Sequence, residues 1–284
     1  MLTLLRWLRH GPLAFLGPLW LTMGRAYRSV ARRIPGLTVR QHIGPYGPFL
    51  FLAEFTFSNF KDWGRAQNKA FRFCVEACRG KTCVVDIGAH IGLVAMPVAS
   101  VLAEHGHLYA FEPAAANARV LRRHLALNCL DKVEVVEAVV GEGKETETEF
   151  YESKGPHGQN SIVLKKKPAL ADEFVQTRRP LISIDAFCAR RGLRPEVIKI
   201  DAEGAEIGIL RGAETTLRMC RPTVILSVHP REIELAGEDL KSLWSVLDNL
   251  DYEIREVDGS PAAKLRLDEY VVVPREAGQV SKTA

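Results

Sequence analysis

The chain has 284 residues, with 47% apolar and 25% charged side chains and a net charge of +4, enough for one large core or a core with appendages. The charge is local: residues 1–40 hold seven arginines and no acid, and the remainder balances at −3, with 31 basic against 34 acidic residues. Those arginines sit among apolar residues and tryptophan rather than along a polar face with stacking aromatics, which argues against nucleic-acid binding. The six cysteines (74, 78, 83, 129, 188 and 220) form no CxxC pair. Their spacing excludes a metal finger and fits reduced structural thiols of a cytosolic protein.

At the start of the chain, Arg6, Arg9 and His10 precede an apolar stretch, Gly11 to Gly24, interrupted by Pro12 and Pro18. It is too short and too broken for a spanning helix, and no small-x-small cleavage site follows it. With Trp7, Trp20 and Tyr27 among the arginines, residues 1–36 read in two ways. One is a peripheral anchor on an anionic leaflet, at the inner membrane face. The other is a helical extension packed on the domain or on a second subunit. Residues 37–60, split by Gly44, Pro45, Gly47 and Pro48, read as a small hairpin. Trp63 to Arg79 has helical periodicity and completes an N-terminal hairpin-and-helix region, 37–79.

Strand and helix patterns then alternate. In CVVDIGAHIG (83–92) a short β-branched run ends in Asp86, and Gly88, His90 and Gly92 form the turn into an apolar helix, Leu93 to Ala103. Turn glycines let backbone N–H groups approach a ligand at a helix start. A second strand, His107 to Glu112, precedes the amphipathic helix Ala114 to Asn128. Val133 to Val140 is a third strand, Val197 to Ile200 a fourth ending at Asp201, and Thr223 to Val228 a fifth ending at His229. Leu240 to Leu250 is helical, and Tyr252 to Val257 with Tyr270 to Val273 make a closing pair. Such repeats predict an α/β, Rossmann-like fold: a mostly parallel seven-stranded sheet, helices on both faces, and an antiparallel C-terminal strand pair. The domain spans 80–275, and 276–284 is a disordered tail. Between the third and fourth strands the chain is too long for a simple crossover, and 141–180 reads as an inserted hairpin. Its pieces are strands at Glu145 to Tyr151 and Ile162 to Leu164 around the loop GPHGQNS (155–161), with a further strand at Leu181 to Ile184. His157, Asn160 and Ser161 are candidate acceptor contacts on that loop.

The acids select the ligand. Glu112, twenty positions after Gly92, stands where nucleotide-binding folds place a ribose-binding carboxylate. Asp86 would repel a dinucleotide pyrophosphate but not a cationic amino-acid end, so the pattern favours S-adenosylmethionine over NAD. Gly88, His90 and Gly92 supply the turn, Asp86 faces the methionine end, and Ala138 flanks the adenine. Asp201, Glu203 and His229 cluster at the ends of strands four and five, above the donor. His229 is the natural base for a hydroxyl acceptor, or a structural histidine. Asp201 would orient the acceptor, or share a divalent ion with Glu203 and His229, although no dedicated metal-ligand spacing is present and none is expected.

DIGAHIG (86–92), FEP (111–113), NSIVL (160–164), SIDAF (183–187), KIDAEGAE (199–206), LRGA (210–213) and RPTVILSVHP (221–230), in this order, resemble the FkbM family of S-adenosylmethionine-dependent methyltransferases over about residues 80–255. The resemblance implies methyl transfer to a hydroxyl of a sugar, glycolipid or related small molecule. In two places the sequence departs from the family: His90 stands where it often has asparagine, and Ser227 where it often has glutamate. The alternative is a catalytically silent S-adenosylmethionine-binding protein that uses its N-terminus for a membrane or partner. Oligomeric state is not legible.

Overall fold

The computed structural model describes residues 17–34, 36–65, 68–143, 146–153 and 174–276. The loop 155–161 with its candidate contacts His157, Asn160 and Ser161, the strand expected at Ile162 to Leu164, and the tail after 276 lie outside these. The chain forms two compact units, Met1–Asp62 and Trp63–Ala284.

In the first unit, helix α1 (Gly17–Arg33) is followed by β1 (Thr38–Ile43) and β2 (Tyr46–Leu52), an antiparallel hairpin as the turn residues predict. Tyr27 fixes one side of α1: its hydroxyl donates to the Ala53 carbonyl at 3.1 Å and lies 2.8 Å from Thr56 Oγ1. Its ring meets Phe57 edge-on at 5.0 Å. Arg32 pairs with Glu54 on the same side.

The second unit carries α2 (Phe71–Ala77), β3 (Cys83–Ile87), α3 (Ala95–Ala99), β4 (His107–Phe111), α4 (Ala115–Leu127), β5 (Val133–Val136), β6 (Val139–Val140), β7 (Glu147–Ser153) and β8 (Phe174–Ile182). It continues with α5 (Ile184–Arg191), β9 (Val197–Ile200), α6 (Glu206–Arg211), α7 (Glu214–Cys220), β10 (Thr223–Val228), α8 (Pro230–Leu235), α9 (Leu240–Asn249), β11 (Tyr252–Arg255) and β12 (Asp268–Pro274). Seven strands form one sheet in the order β11-β12-β10-β9-β3-β4-β5. Strands β10, β9, β3, β4 and β5 are parallel, and β12 runs antiparallel to both β10 and β11. This is the Rossmann-like sheet that the alternation predicts.

Strand composition follows from burial. VIKI and TVILSV read as nearly continuous apolar runs because helices cover both faces. On one face Val85, Ile87, Ile198, Ile200, Val224 and Leu226 pack with Phe187 of α5, Leu210 of α6, Leu217 of α7 and Leu243 of α9. The opposite face, under α2, carries Asp86, Lys199, Ser227 and Glu269, all buried.

Several boundaries differ from the periodicity. The helix expected over Trp63 to Arg79 is only Phe71–Ala77, because Gly64 and Asn68 adopt positive φ and turn the chain before it. The helix after Gly92 covers Ala95–Ala99 rather than Leu93 to Ala103. The run VEVVEAVV breaks at Glu137 and Ala138: its first half joins the main sheet and Val139–Val140 pairs with β8 instead. The strand expected at Leu181 to Ile184 starts earlier, at Phe174, and stops at Ile182, because Ser183 caps α5 by accepting from Ala186 N. Strand β8 pairs antiparallel with β7 from Glu147↔Pro180 to Ser153↔Phe174. The inserted hairpin is thus part of a three-stranded sheet, β6-β8-β7.

Candidate functional site

At the carboxyl ends of β3, β4 and β9 lies a cavity of about 300 Å³, the place where open α/β sheets bind ligands. One wall is the turn after β3. Gly88 has φ +85°, and a Cβ there would stand 1.9 Å from the Asp201 carbonyl oxygen; the close approach of β3 to the end of β9 demands glycine. Gly92 (φ +97°) closes the turn, where a Cβ would come within 2.7 Å of Leu121. The turn does not offer its N–H groups as a free cradle. Gly88 and Ala89 donate to the Phe111 carbonyl, Gly92 to Ala89, and His90 to Glu112.

Glu112 is the organising acid of this wall. It is 4% exposed. Its Oε2 accepts from His90 N at 2.8 Å, and its Oε1 from Ala114 N at 2.9 Å and Asn117 Nδ2 at 3.3 Å. A carboxylate has about four acceptor positions, so Oε2 keeps one for a ligand hydroxyl. Burial pushes its pKa up to about 7, against the pull of these three donors. The opposite wall is apolar: Ala138, Val139, Val140 and Phe150. The break in VEVVEAVV therefore has a use, since it folds β6 and β7 over the cavity.

The floor carries charge. His229, at the end of β10, has Nδ1 2.6 Å from Glu206 Oε1, and its Nε2 lies 3.6 Å from Asp201 and 4.0 Å from Glu203. Glu206 is fully buried and also accepts from Gly204 N at 2.9 Å. Burial opposes charge on His229, but the Glu206 hydrogen bond and the charges of Asp201, Glu206 and Glu203 outweigh it and raise its pKa to about 9. At neutral pH it is an imidazolium, and it becomes a base only in the alkaline range. Asp201 is held ionised: burial would raise its pKa, yet Lys199, whose Nζ lies 3.1 Å from Oδ2, and His229 carry it below the ordinary range. His90 and Glu203, both on the lining, adopt positive φ of 51° and 49°, strained conformations of the kind that collect at functional sites.

A family model, the methyltransferase FkbM domain, matches residues 86–254, well over half of the chain. The chain belongs to the FkbM methyltransferase family. None of the curated proteins matches it. Among solved structures, a methyltransferase FkbM from Methylobacillus flagellatus KT is 20% identical, with a TM-score of 0.44, over 69% of this chain and 44% of that one. This chain therefore spans less than half of that protein. A precorrin-6y C5,15-methyltransferase from Geobacter metallireducens GS-15 is 12% identical over 73% of this chain and 88% of its own, with a TM-score of 0.41. A putative O-methyltransferase from Klebsiella pneumoniae is 16% identical over 74% and 81%, with a TM-score of 0.43.

Within this FkbM domain the cavity brings together Gly88, His90, Glu112, Ala138, Asp201, Glu203 and His229. Two expected residues do not line it. Gly92 is packed against Leu121, and Asp86 points beneath the floor, because its strand position pairs it with Lys199 of β9. Both Asp86 oxygens lack a hydrogen-bond partner among the described residues, and Lys199 Nζ is 3.9 Å away. Burial raises the Asp86 pKa to about 6. The sequence reading missed Lys199, Asn68, Phe150 and Asn117 on the lining. Lys199 had a signal: a lysine inside a central strand must be buried, and a buried ammonium needs acids around it. Among the described residues no group of three or more His, Cys, Asp or Glu side chains is arranged to hold a metal ion.

Proposed function

We propose that the FkbM domain is an S-adenosylmethionine-dependent O-methyltransferase acting on a hydroxyl of a sugar, glycolipid or related small molecule. The observation that carries the donor is Glu112: a buried carboxylate at the end of β4, fixed by three donors, with an acceptor position left on the cavity side. The apolar wall of Ala138–Val140 and Phe150 suits a nucleobase. The carboxylates Glu112, Asp201 and Glu203 on the lining suit a sulfonium and disfavour a pyrophosphate. When bound, S-adenosylmethionine supplies a methyl group on sulfur for an in-line displacement. Asp201, ionised and aimed at the cavity by Lys199, takes the proton that the acceptor oxygen loses as its bond to the methyl carbon forms. His229 holds Asp201 and Glu203 in place as an imidazolium, and acts as the base itself where it is neutral. Calorimetric titration of S-adenosylhomocysteine into wild type and Glu112→Gln tests the donor site. Micromolar binding weakened in the variant supports it, and a folded wild type that binds nothing rejects it. Binding without turnover across hydroxyl acceptors would favour the silent binder.

The first unit supports a second reading, attachment to an anionic membrane surface. Met23, Val30 and Ile34, seven and four residues apart, are 52%, 54% and 47% exposed, while Tyr27 and Ala31 on the adjacent side are engaged with the unit. Arg28 and Arg33 are exposed, and no acid occurs in residues 1–40. Exposed apolar residues on a basic helix (Met23, Val30) and just past its end (Ile34) suit the headgroup boundary of an anionic bilayer. No helix among the described residues is long and apolar enough to cross a membrane.

A further inference from the structure

Asp86 is a buried acid that the proposed chemistry leaves unused. It is 1% exposed, and its neighbours in register are Ala110 of β4, which has no polar side chain, and Lys199 of β9. Neither of its oxygens has a hydrogen-bond partner among the described residues. A carboxylate this deep has lost its hydration and needs an opposite charge beside it. The buried thiols of Cys74 and Cys78, on the α2 side, supply none, and Asp201 and Glu112 repel it. Glu269 in the same layer is engaged elsewhere, its Oε2 accepting from Ala70 N at 2.8 Å. The cation is Lys199, itself 4% exposed. Its Nζ stands 3.9 Å from Asp86 Oδ1 but 3.1 Å from Asp201 Oδ2, so the hydrogen bond goes to Asp201. One ammonium thus stands between two carboxylates of different character. The Asp201 side chain is 27% exposed and lines the cavity, and that of Asp86 is 2% exposed beneath it.

We propose that Asp86 is a positioning residue of the FkbM site: it is the counter-ion to which Lys199 turns once Asp201 has taken the acceptor's proton. Methyl transfer moves one proton from the acceptor oxygen to the Asp201 carboxylate, which becomes a neutral acid. The Lys199 ammonium keeps its charge and loses its charged partner on the cavity side. A shift of about 1 Å brings Nζ from its place near Asp86 Oδ1 to ordinary hydrogen-bond distance. The charge inside the sheet therefore stays paired before and after transfer, first with Asp201 and then with Asp86. An ammonium with Asp201 alone would be stranded in the dry layer as the proton arrived, and that penalty would oppose the transfer.

This role rests on the reading of Asp201 as the proton acceptor of a methyltransferase, and the test separates the two. Asparagine at 201 copies the proton-loaded state, since it keeps the shape of the side chain and removes its charge. The full chain is compared as wild type, Asp86→Asn, Asp201→Asn, the double variant Asp86→Asn/Asp201→Asn, and the triple variant that adds Lys199→Met. In urea, Asp86→Asn lowers the midpoint less in the wild type than in Asp201→Asn, so the double variant loses more than the sum of the single losses. The triple variant, with no ammonium to strand, recovers most of that excess. If the double variant does not fold and the triple does, the coupling is the same. Carboxyl NMR of the chain labelled with 13C-aspartate gives a readout that a merely structural side chain would not move. The Asp86 signal, identified by its loss in Asp86→Asn, titrates at least about one pH unit lower in Asp201→Asn than in the wild type, and a crystal structure of that variant shows Lys199 Nζ bonded to Asp86. Additive losses, a triple variant no more stable than the double, or an ammonium still bonded to position 201 with an unmoved Asp86 titration would overturn the proposal. Calorimetry of S-adenosylhomocysteine into the wild type tests the reading beneath it. Binding without coupling rejects Asp86 alone, and coupling in a folded chain that binds no nucleoside rejects the donor reading and this role with it.

Discussion

Replacing Glu206 by Gln is the sharpest test of the site's electrostatics. The amide keeps the shape of the side chain and can still accept from Gly204 N, but it removes the charge that holds the His229 Nδ1 proton. In the wild type the His229 pKa rises from 6.5 to about 9, which corresponds to about 3 kcal/mol in favour of the imidazolium. His229 is well buried, with a side chain 13% exposed, so little of this is lost to solvent screening. The sign follows from linkage: the stabilisation is complete below pH 6.5 and disappears as pH rises through about 9. Glu206 is the largest of the groups that raise this pKa. In Glu206→Gln the imidazole should therefore titrate in the neutral range, and the decline of stability between pH 6.5 and 9 should flatten. Imidazole NMR titration reads the first effect, and urea denaturation at stepped pH the second. An imidazole that still titrates near 9 in the variant, with an unchanged stability slope, would refute the reasoning.

Further outcomes follow from the same geometry. Once an acceptor is known, the wild-type rate should climb with pH towards about 9 if neutral His229 is the base, and stay flat over that range if Asp201 is; a pH–rate profile decides between them. Glu112→Ala should weaken S-adenosylhomocysteine binding at least as much as Glu112→Gln and also cost stability, because the His90 and Ala114 N–H groups would be left unbonded at about 1–3 kcal/mol each; calorimetry and denaturation separate the two effects. Gly88→Ala must push β3 and β9 apart, since its Cβ would meet the Asp201 carbonyl oxygen at 1.9 Å, and it should lower the melting temperature and abolish nucleoside binding together. Full-length protein should float with phosphatidylglycerol vesicles and not with phosphatidylcholine, and Val30→Glu/Ile34→Glu should stay in the soluble fraction; equal flotation of both would remove the membrane reading.

How far the sequence was legible depends on whether a residue's role is set locally. Strands β9 and β10 coincide with VIKI and TVILSV because a doubly covered strand must be apolar throughout. Glu112 could be placed on the cavity because it follows the carboxyl end of a parallel strand, where such sheets collect their ligand-facing residues. Asp86 was harder: its place as the acid that ends the first strand run suggested the ligand, but strand parity turned it beneath the floor to Lys199. The split of Val133 to Val140 was hidden because both halves are equally β-prone, and only pairing with a strand some forty residues away separates them. Glu269 carried no local signal at all. Its place follows from register with Ser227, which exists only once the sheet is assembled.

The strand order also bears on how the chain can be made. Strand β12 is last in sequence yet lies between β10 and β11, so the penultimate strand has no neighbour until the final one slips in beside it. During synthesis from the N-terminus, β10 remains an open, apolar edge while residues 229–267 emerge, a template on which other nascent chains could pair. The buried polar face that Glu269 joins is likewise unfinished throughout that interval. Ligand-binding competence would then arise late and abruptly, with the emergence of Asp268–Pro274, rather than growing with each strand–helix unit added.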